Sequence, residues 1–277
     1  MSTYYKRKYA LRYELSRRIQ EKSQEIEAGP TGMAVPKLAE VLAGWLELGG
    51  TIDSLGPDCP IPKGQRKCRR SKRQDLAGLP PDWRERLLDG MSKSKNYIPA
   101  LVSCISGCRP SELKKGVSLR IDGGMLRVEI AGAKVGPTKG QPLRILEYAA
   151  SSQQPLVADM VLLVELAGGG LEISIDSAKA FSSAIAYHGH RAFPRSSRRI
   201  TPYCFRHAFA SDLKRNLPDQ DDVSKALGHR VDRTRSSYGQ AQIGRGAGGL
   251  VPSGVEATHG VKHVLTSPRG HSGPTMR

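Results

Sequence analysis

The chain has 277 residues, with 43 Lys and Arg against 26 Asp and Glu, a formal net charge of +17. Such a surplus points to a polyanionic partner, while aromatics at 5% are few for base-stacking recognition of single strands. The most apolar stretch, 156–166, is interrupted by Asp159 and Glu165, so no run approaches the ~18 apolar residues of a membrane-spanning helix.

The first residues hold no apolar segment and no small-residue cleavage site, so no secretory signal is expected. The pattern predicts a helix over 3–27, with Tyr9, Leu11, Tyr13, Leu15 and Ile19 among alternating charges and Gly29-Pro30 as its stop. A second short amphipathic helix is expected over 35–48, ended by Gly49-Gly50. Residues 51–80 have the composition of a linker, rich in proline and carrying Lys63, Arg66, Lys67, Arg69, Arg70, Lys72 and Arg73. That run suits a solvated loop or a strap over a DNA backbone.

From residue 81 the pattern becomes globular. Helices are expected over 81–89, from Ser92 or Ser94 to Ser106, over 175–188, over 202–217 with Thr201 as cap and Pro202 in the first turn, and over 221–227. Strands are expected over 117–121 and 126–130, separated by the hairpin signal Asp122-Gly123-Gly124, with a third over 143–146. The fold class is α+β, mostly helical with a small antiparallel sheet. After Tyr238 the chain turns to Gly, Ser, Pro and His without periodicity, and a disordered tail is expected over 241–277. The cysteines, Cys59, Cys68, Cys104, Cys108 and Cys204, are odd in number and irregular in spacing. They argue against a disulfide framework and for a reduced cytoplasmic, nucleoid-associated setting. Cys104 and Cys108 have no nearby His or Cys partner and fit buried small side chains better than a metal site.

Four short patterns carry chemistry. Gly107-Cys108-Arg109-Pro110-Ser111-Glu112-Leu113 places an arginine after a helix-ending glycine. On the helix after Pro202, Tyr203 and Arg206 share one face, while Phe205, Phe209 and Leu213 form a separate apolar face. Leu227-Gly228-His229 closes a further helix, and Tyr238 follows nine positions after His229. Singly, each is an ordinary surface arginine, helix decoration, helix end or half-buried tyrosine.

Together, in order and spacing, these patterns resemble the tyrosine recombinase (phage integrase-like) family over residues 81–240. The resemblance implies a helical N-terminal DNA-binding region with its basic linker over 1–75 and a catalytic domain over 76–240. It implies that Tyr238 attacks a DNA phosphodiester and forms a 3′-phosphotyrosyl bond, with no cofactor and no metal. Arg109 and Arg206 would hold the non-bridging oxygens, His229 would donate a hydrogen bond to the phosphate, and Glu112 would orient its neighbours. A lysine on a β-hairpin would protonate the departing 5′ oxygen. Lys134 stands at the expected distance, and Lys139, in the turn, is the rival. Tyr203 occupies the position where the family usually has histidine, and its ordinary pKa of about 10 does not suit a general base near neutrality. The N-terminal region is shorter than the family's helical clamp. The implied partners are duplex DNA with specific recombination sites, further copies of the chain in a homotetramer, and a second recombinase or directionality factor, with no membrane. The other readings are a recombinase-fold DNA-binding accessory protein without cleavage activity, a type IB topoisomerase, and a basic RNA-binding protein of another fold.

Overall fold

The structure is a computed structural model, and it describes residues 3–27, 35–54, 76, 78–136, 139–196, 198–245 and 248–263. The basic run 63–73 lies outside the described residues. The chain divides into two compact units, Met1–Arg69 and Arg70–Arg277.

In the first unit, helix α1 (Thr3–Glu27) packs against α2 (Val35–Ser54). Helix α2 does not stop at Gly49-Gly50 but continues to Ser54. Gly49 faces the buried Leu15, whose Cδ2 would lie 3.4 Å from a Cβ there, an ordinary packing distance. The helix–helix contact therefore outweighs glycine's poor helix propensity.

The second unit is α+β. Its described elements run α3 (Trp83–Asp89), α4 (Tyr97–Ser106), α5 (Pro110–Leu113), β1 (Val117–Asp122), β2 (Met125–Ala131), β3 (Leu143–Ala149), α6 (Pro155–Leu166), β4 (Gly170–Ile173), α7 (Ala178–Ala192), α8 (Pro202–Asn216), α9 (Gln220–Ala226) and β5 (Gly254–Ala257). The strands form one antiparallel sheet in the order β4-β1-β2-β3-β5. Asp122 pairs with Met125 across Gly123 and Gly124, which have φ of +55° and +75°, as a two-residue primed turn demands. One sheet face is buried by alternation, with Val117 and Leu119 beside Leu126, Val128 and Ile130. The inward row of β3 is Arg144, Leu146 and Tyr148. Helix α8 buries Phe205, Phe209 and Leu213, with Trp83 stacked on Phe205 at 5.4 Å. Cys104, Cys108 and Cys204 are buried free thiols. Among the described residues no helix is long and apolar enough to cross a membrane.

The expected disordered tail is corrected as far as His263. Strand β5 pairs with β3, from Arg144↔Ala257 to Glu147↔Gly254. Upstream of it, Arg245 forms a bidentate ion pair with Glu85 at 2.7 and 2.9 Å, and Leu250 is buried. Backbone pairing and ion pairs anchor this segment, which is why apolar periodicity does not betray it.

The same segment converges on Asp212 of α8, 1% exposed, which accepts from Arg84 Nη2 at 2.7 Å and from the Arg245 and Leu250 backbone N–H groups at 2.7 and 3.2 Å. Removing one partner of a buried ion pair strands the other charge and costs about 3–5 kcal/mol. Arg84→Leu is expected to lose that much in urea unfolding. A loss below about 1 kcal/mol would show that the two backbone donors alone sustain Asp212.

Candidate active site

The glycines of the sequence patterns are required by local geometry. Gly107 ends α4 in the left-handed region, at φ +57°, and a Cβ there would lie 2.6 Å from Phe209 Cδ1. Gly228 ends α9 at φ +66°, where its N–H donates to the Lys225 carbonyl and that of His229 to the Ser224 carbonyl, each at 2.8 Å. Each glycine turn leaves a carbonyl directed at α8. Arg206, fully buried, donates from Nη1 to Gly107 O at 2.8 Å and from Nη2 to Leu227 O at 2.5 Å. The second arginine thus ties the first motif to the Leu-Gly-His turn.

Arg109 follows Gly107 and is 8% exposed. Its Nη1 donates to Glu112 Oε1 at 2.5 Å and its backbone N–H to Glu112 Oε2 at 2.8 Å. Glu112 Oε2 also accepts from Arg144 Nη2 at 2.8 Å. Burial alone would raise the Glu112 carboxyl, but Arg144 and Arg109 hold it well below the usual carboxylate range.

Tyr238 closes the cluster. Its ring lies 4.6 Å from the Arg206 guanidinium carbon, 5.3 Å from the His229 ring and 5.2 Å from the His207 ring. Burial would raise its phenol, yet charge and hydrogen bonds from Arg206 and Arg109 outweigh that and lower it below the ordinary tyrosine value. Burial, then Arg206 and Arg109, pushes His229 down to about 2. The neutral ring receives Arg206 Nη2 at 3.2 Å, so Nε2 accepts and Nδ1 carries the proton. Burial and Arg109 pull Arg206 down to about 10, which leaves it charged at neutral pH.

A face of α8 made by His207, which ends the Tyr203–His207 pattern, and by Ser211 and Lys214, which lie beyond it, holds the backbone around Tyr238. Lys214 Nζ donates to the carbonyls of Arg235, Tyr238 and Gly239. Ser211 Oγ accepts from the Gln240 N–H at 3.0 Å, and His207 Nδ1 from the Gly239 N–H at 3.3 Å. At Gly239, φ +54°, a Cβ would lie 2.6 Å from Ser211 N, so only glycine lets the chain pass this close to the helix. Their spacing of i, i+4 and i+7 is the available signal, but in the sequence it blends into an ordinary polar face.

Arg109, Lys134, Lys139, His229 and Tyr238 line one cavity of about 680 Å³, to which Arg230 adds a further cation and, among the described residues, no carboxylate contributes. Lys134 and Lys139 are both exposed and both reach it, across the turn closed by the Gly136–Lys139 bridge. Gln141, 1% exposed, anchors that hairpin by donating to the carbonyls of His229 at 3.0 Å and His259 at 2.7 Å. Tyr203 is half-buried on α8 and does not line the cavity. Lys63, Arg66, Lys67, Arg69, Arg70, Lys72 and Arg73 lie outside the described residues. Among the described residues no three His, Cys, Asp or Glu side chains converge as a metal site.

The lowered phenol is directly measurable. In an ultraviolet titration, the difference between wild type and Tyr238→Phe is expected to show one tyrosine ionising below the ordinary value of about 10. Arg206→Met removes a favourable charge from the phenolate, so the titration is expected to move upward. A Tyr238 that titrates at or above the ordinary value in the wild type would contradict this electrostatic reading.

No family model and no curated protein sequence matches the chain. Among solved structures, the chain is similar to the XerH site-specific recombinase bound to its difH substrate in a pre-cleavage complex, at 17% identity and a TM-score of 0.36. The match covers 82% of this chain and 66% of that one.

Proposed function

We propose that the chain is a tyrosine-type site-specific DNA recombinase that cuts and rejoins duplex DNA through Tyr238. The observation that carries this reading is the cation-lined cavity that Tyr238 shares with Arg109, Lys134, Lys139, His229 and Arg230. Arg206 Nε, Arg144 Nε and Nη1, and His229 Nδ1 are buried with no hydrogen-bond partner among the described residues. Buried donors of this kind cost free energy unless an acceptor-rich group satisfies them. A phosphodiester is such a group; in the cation-lined cavity it would meet Arg109, His229 and Tyr238, with Arg206 and Arg144 buried behind that lining.

In the proposed reaction, Tyr238 Oη forms a bond to phosphorus and the bond from phosphorus to the 5′ oxygen breaks. The phenol gives up one proton and the departing 5′ oxygen gains one, so protons balance. The product phosphotyrosyl diester keeps the bond energy for rejoining. Arg109 and Arg206 take the non-bridging oxygens of the transition state, where their charge counts most. The charges that lower the Tyr238 phenol also make it the better nucleophile at neutral pH. Lys134 or Lys139 protonates the leaving oxygen. The helical first unit and the basic run 63–73 would contact the flanking duplex, and strand exchange between two sites would proceed in a homotetramer.

A second reading is a recombinase-fold protein that binds DNA and leaves cleavage to a partner. The absence of Tyr203 from the cavity lining favours it, because the position of the family's usual histidine then supplies no base to the phenol.

Protein-linked DNA recovered under denaturing conditions from cells carrying the native locus separates these readings. A discrete set of 3′ ends in the wild type, absent in Tyr238→Phe, is the expected result. Scattered ends would favour a topoisomerase. Tight duplex binding with no linked DNA would favour the accessory role.

A further inference from the structure

Arg144 belongs to none of the sequence patterns. It starts the inward row of β3, where its neighbours Leu146 and Tyr148 are core residues, and it is 1% exposed. Its Nη2 donates to Glu112, while Nε and Nη1 have no partner among the described residues. Its guanidinium lies directly under the Leu-Gly-His turn, where a Cβ on Gly228 would come within 2.8 Å of Nη1.

Pairing with Glu112 supports that carboxylate but leaves Nε and Nη1 of Arg144 unused among the described residues. Glu112 already accepts from the Arg109 side chain and from the Arg109 N–H. A further buried guanidinium carries a large desolvation cost, and buried ion pairs are often replaceable by apolar residues with no loss of stability. Around Tyr238 the buried charges are Arg109, Arg144 and Arg206 against Glu112, with His229 neutral. Three positive charges and one negative leave two in excess. While Tyr238 is a neutral phenol, the bound diester brings one negative charge, and once the phenol has given up its proton and attacks, the pentacoordinate transition state carries two. With Arg144 absent, the excess would match the ground state only.

We propose that Arg144 is a positioning residue with an electrostatic role. It clamps Glu112, which fixes the Arg109 fork, and it supplies the buried positive charge that favours the doubly negative transition state over the bound diester. This rests on the recombinase reading for the identity of the anion.

The test compares full-length wild type, Arg144→Met, and Arg144→Met combined with Glu112→Gln. The double variant removes one charge of each sign, so no carboxylate is stranded and the excess of two is kept, and thermal melts are expected to return close to wild type. Two readouts follow. Orthovanadate, a trigonal-bipyramidal phosphate mimic, is expected to bind at least tenfold more weakly to Arg144→Met, in which the excess falls to one, and to regain most of its affinity in the double variant. Single-turnover covalent capture on the duplex recovered from the native locus is expected to fall ~10²–10³-fold in Arg144→Met, the range for removal of one transition-state donor, and to recover in part in the double variant, with duplex affinity within a few-fold of wild type throughout. A folded double variant that binds vanadate as weakly as Arg144→Met would overturn the charge assignment, because its excess is that of the wild type. Unchanged vanadate affinity in Arg144→Met, or none in the wild type, would overturn it as well. Vanadate binding that responds to Arg144 in a protein that forms no covalent complex would uphold this charge assignment and refute the recombinase reading instead.

Discussion

The candidate site depends on one buried guanidinium. Arg206 holds the carbonyl of Gly107 and the carbonyl of Leu227, two glycine-turn ends that are far apart in the chain. It also contacts the His229 ring and lies over the Tyr238 ring. A guanidinium is the one side chain whose planar fork can satisfy two such carbonyls and still present charge. Without it, α4, α8 and α9 would still pack through Phe209 and Leu213, but nothing would fix the Arg109 turn against the His229 turn.

The charge around that hub is arranged for an anion. Desolvation and neighbouring arginines keep His229 neutral, Glu112 stays a carboxylate because two arginines share it, and the Tyr238 phenol is lowered although it is partly buried. Beside burial, the largest cause for His229, these shifts share a cluster of cations around the buried Glu112 carboxylate. The cost of burying it is carried by a core that includes the Trp83–Phe205 stack and the inward rows of the sheet. The segment after Tyr238 is bound to the same unit by Lys214, Arg215, Asp212 and β5. The nucleophile candidate is therefore positioned by its own chain.

Much of the fold and of the site was legible in the sequence because it follows local rules. A helix ended by Gly107 or Gly228, a strand pair turned by Gly123-Gly124, and Tyr203 and Arg206 on one helical face all follow from spacing within a few residues. Arg109, His229 and Tyr238 follow from no local rule: only the resemblance of their patterns to a family groups them, and in the structure they line one cavity. The remainder depends on partners distant in sequence. Arg144 looks like one charge in a strand pattern until Glu112 is seen behind it. Gln141 is a turn residue until the carbonyls of His229 and His259 converge on it. Strand β5 is hidden because its energy comes from the edge of β3, not from apolar alternation. Lys134 and Lys139 stay equivalent because both extend from one turn into the cavity.

The central claim is that Tyr238 Oη bonds to DNA phosphorus, and the most direct measurement locates that bond. Covalent complex from wild-type protein would be denatured, digested with nuclease and trypsin, and sequenced by mass spectrometry. The peptide between Arg235 and Arg245 contains Tyr238 and no other tyrosine. A 3′-nucleotide adduct on Tyr238 in that peptide is the predicted result. An adduct confined to another residue, or that peptide recovered only unmodified from duplex-bound protein, would contradict the claim.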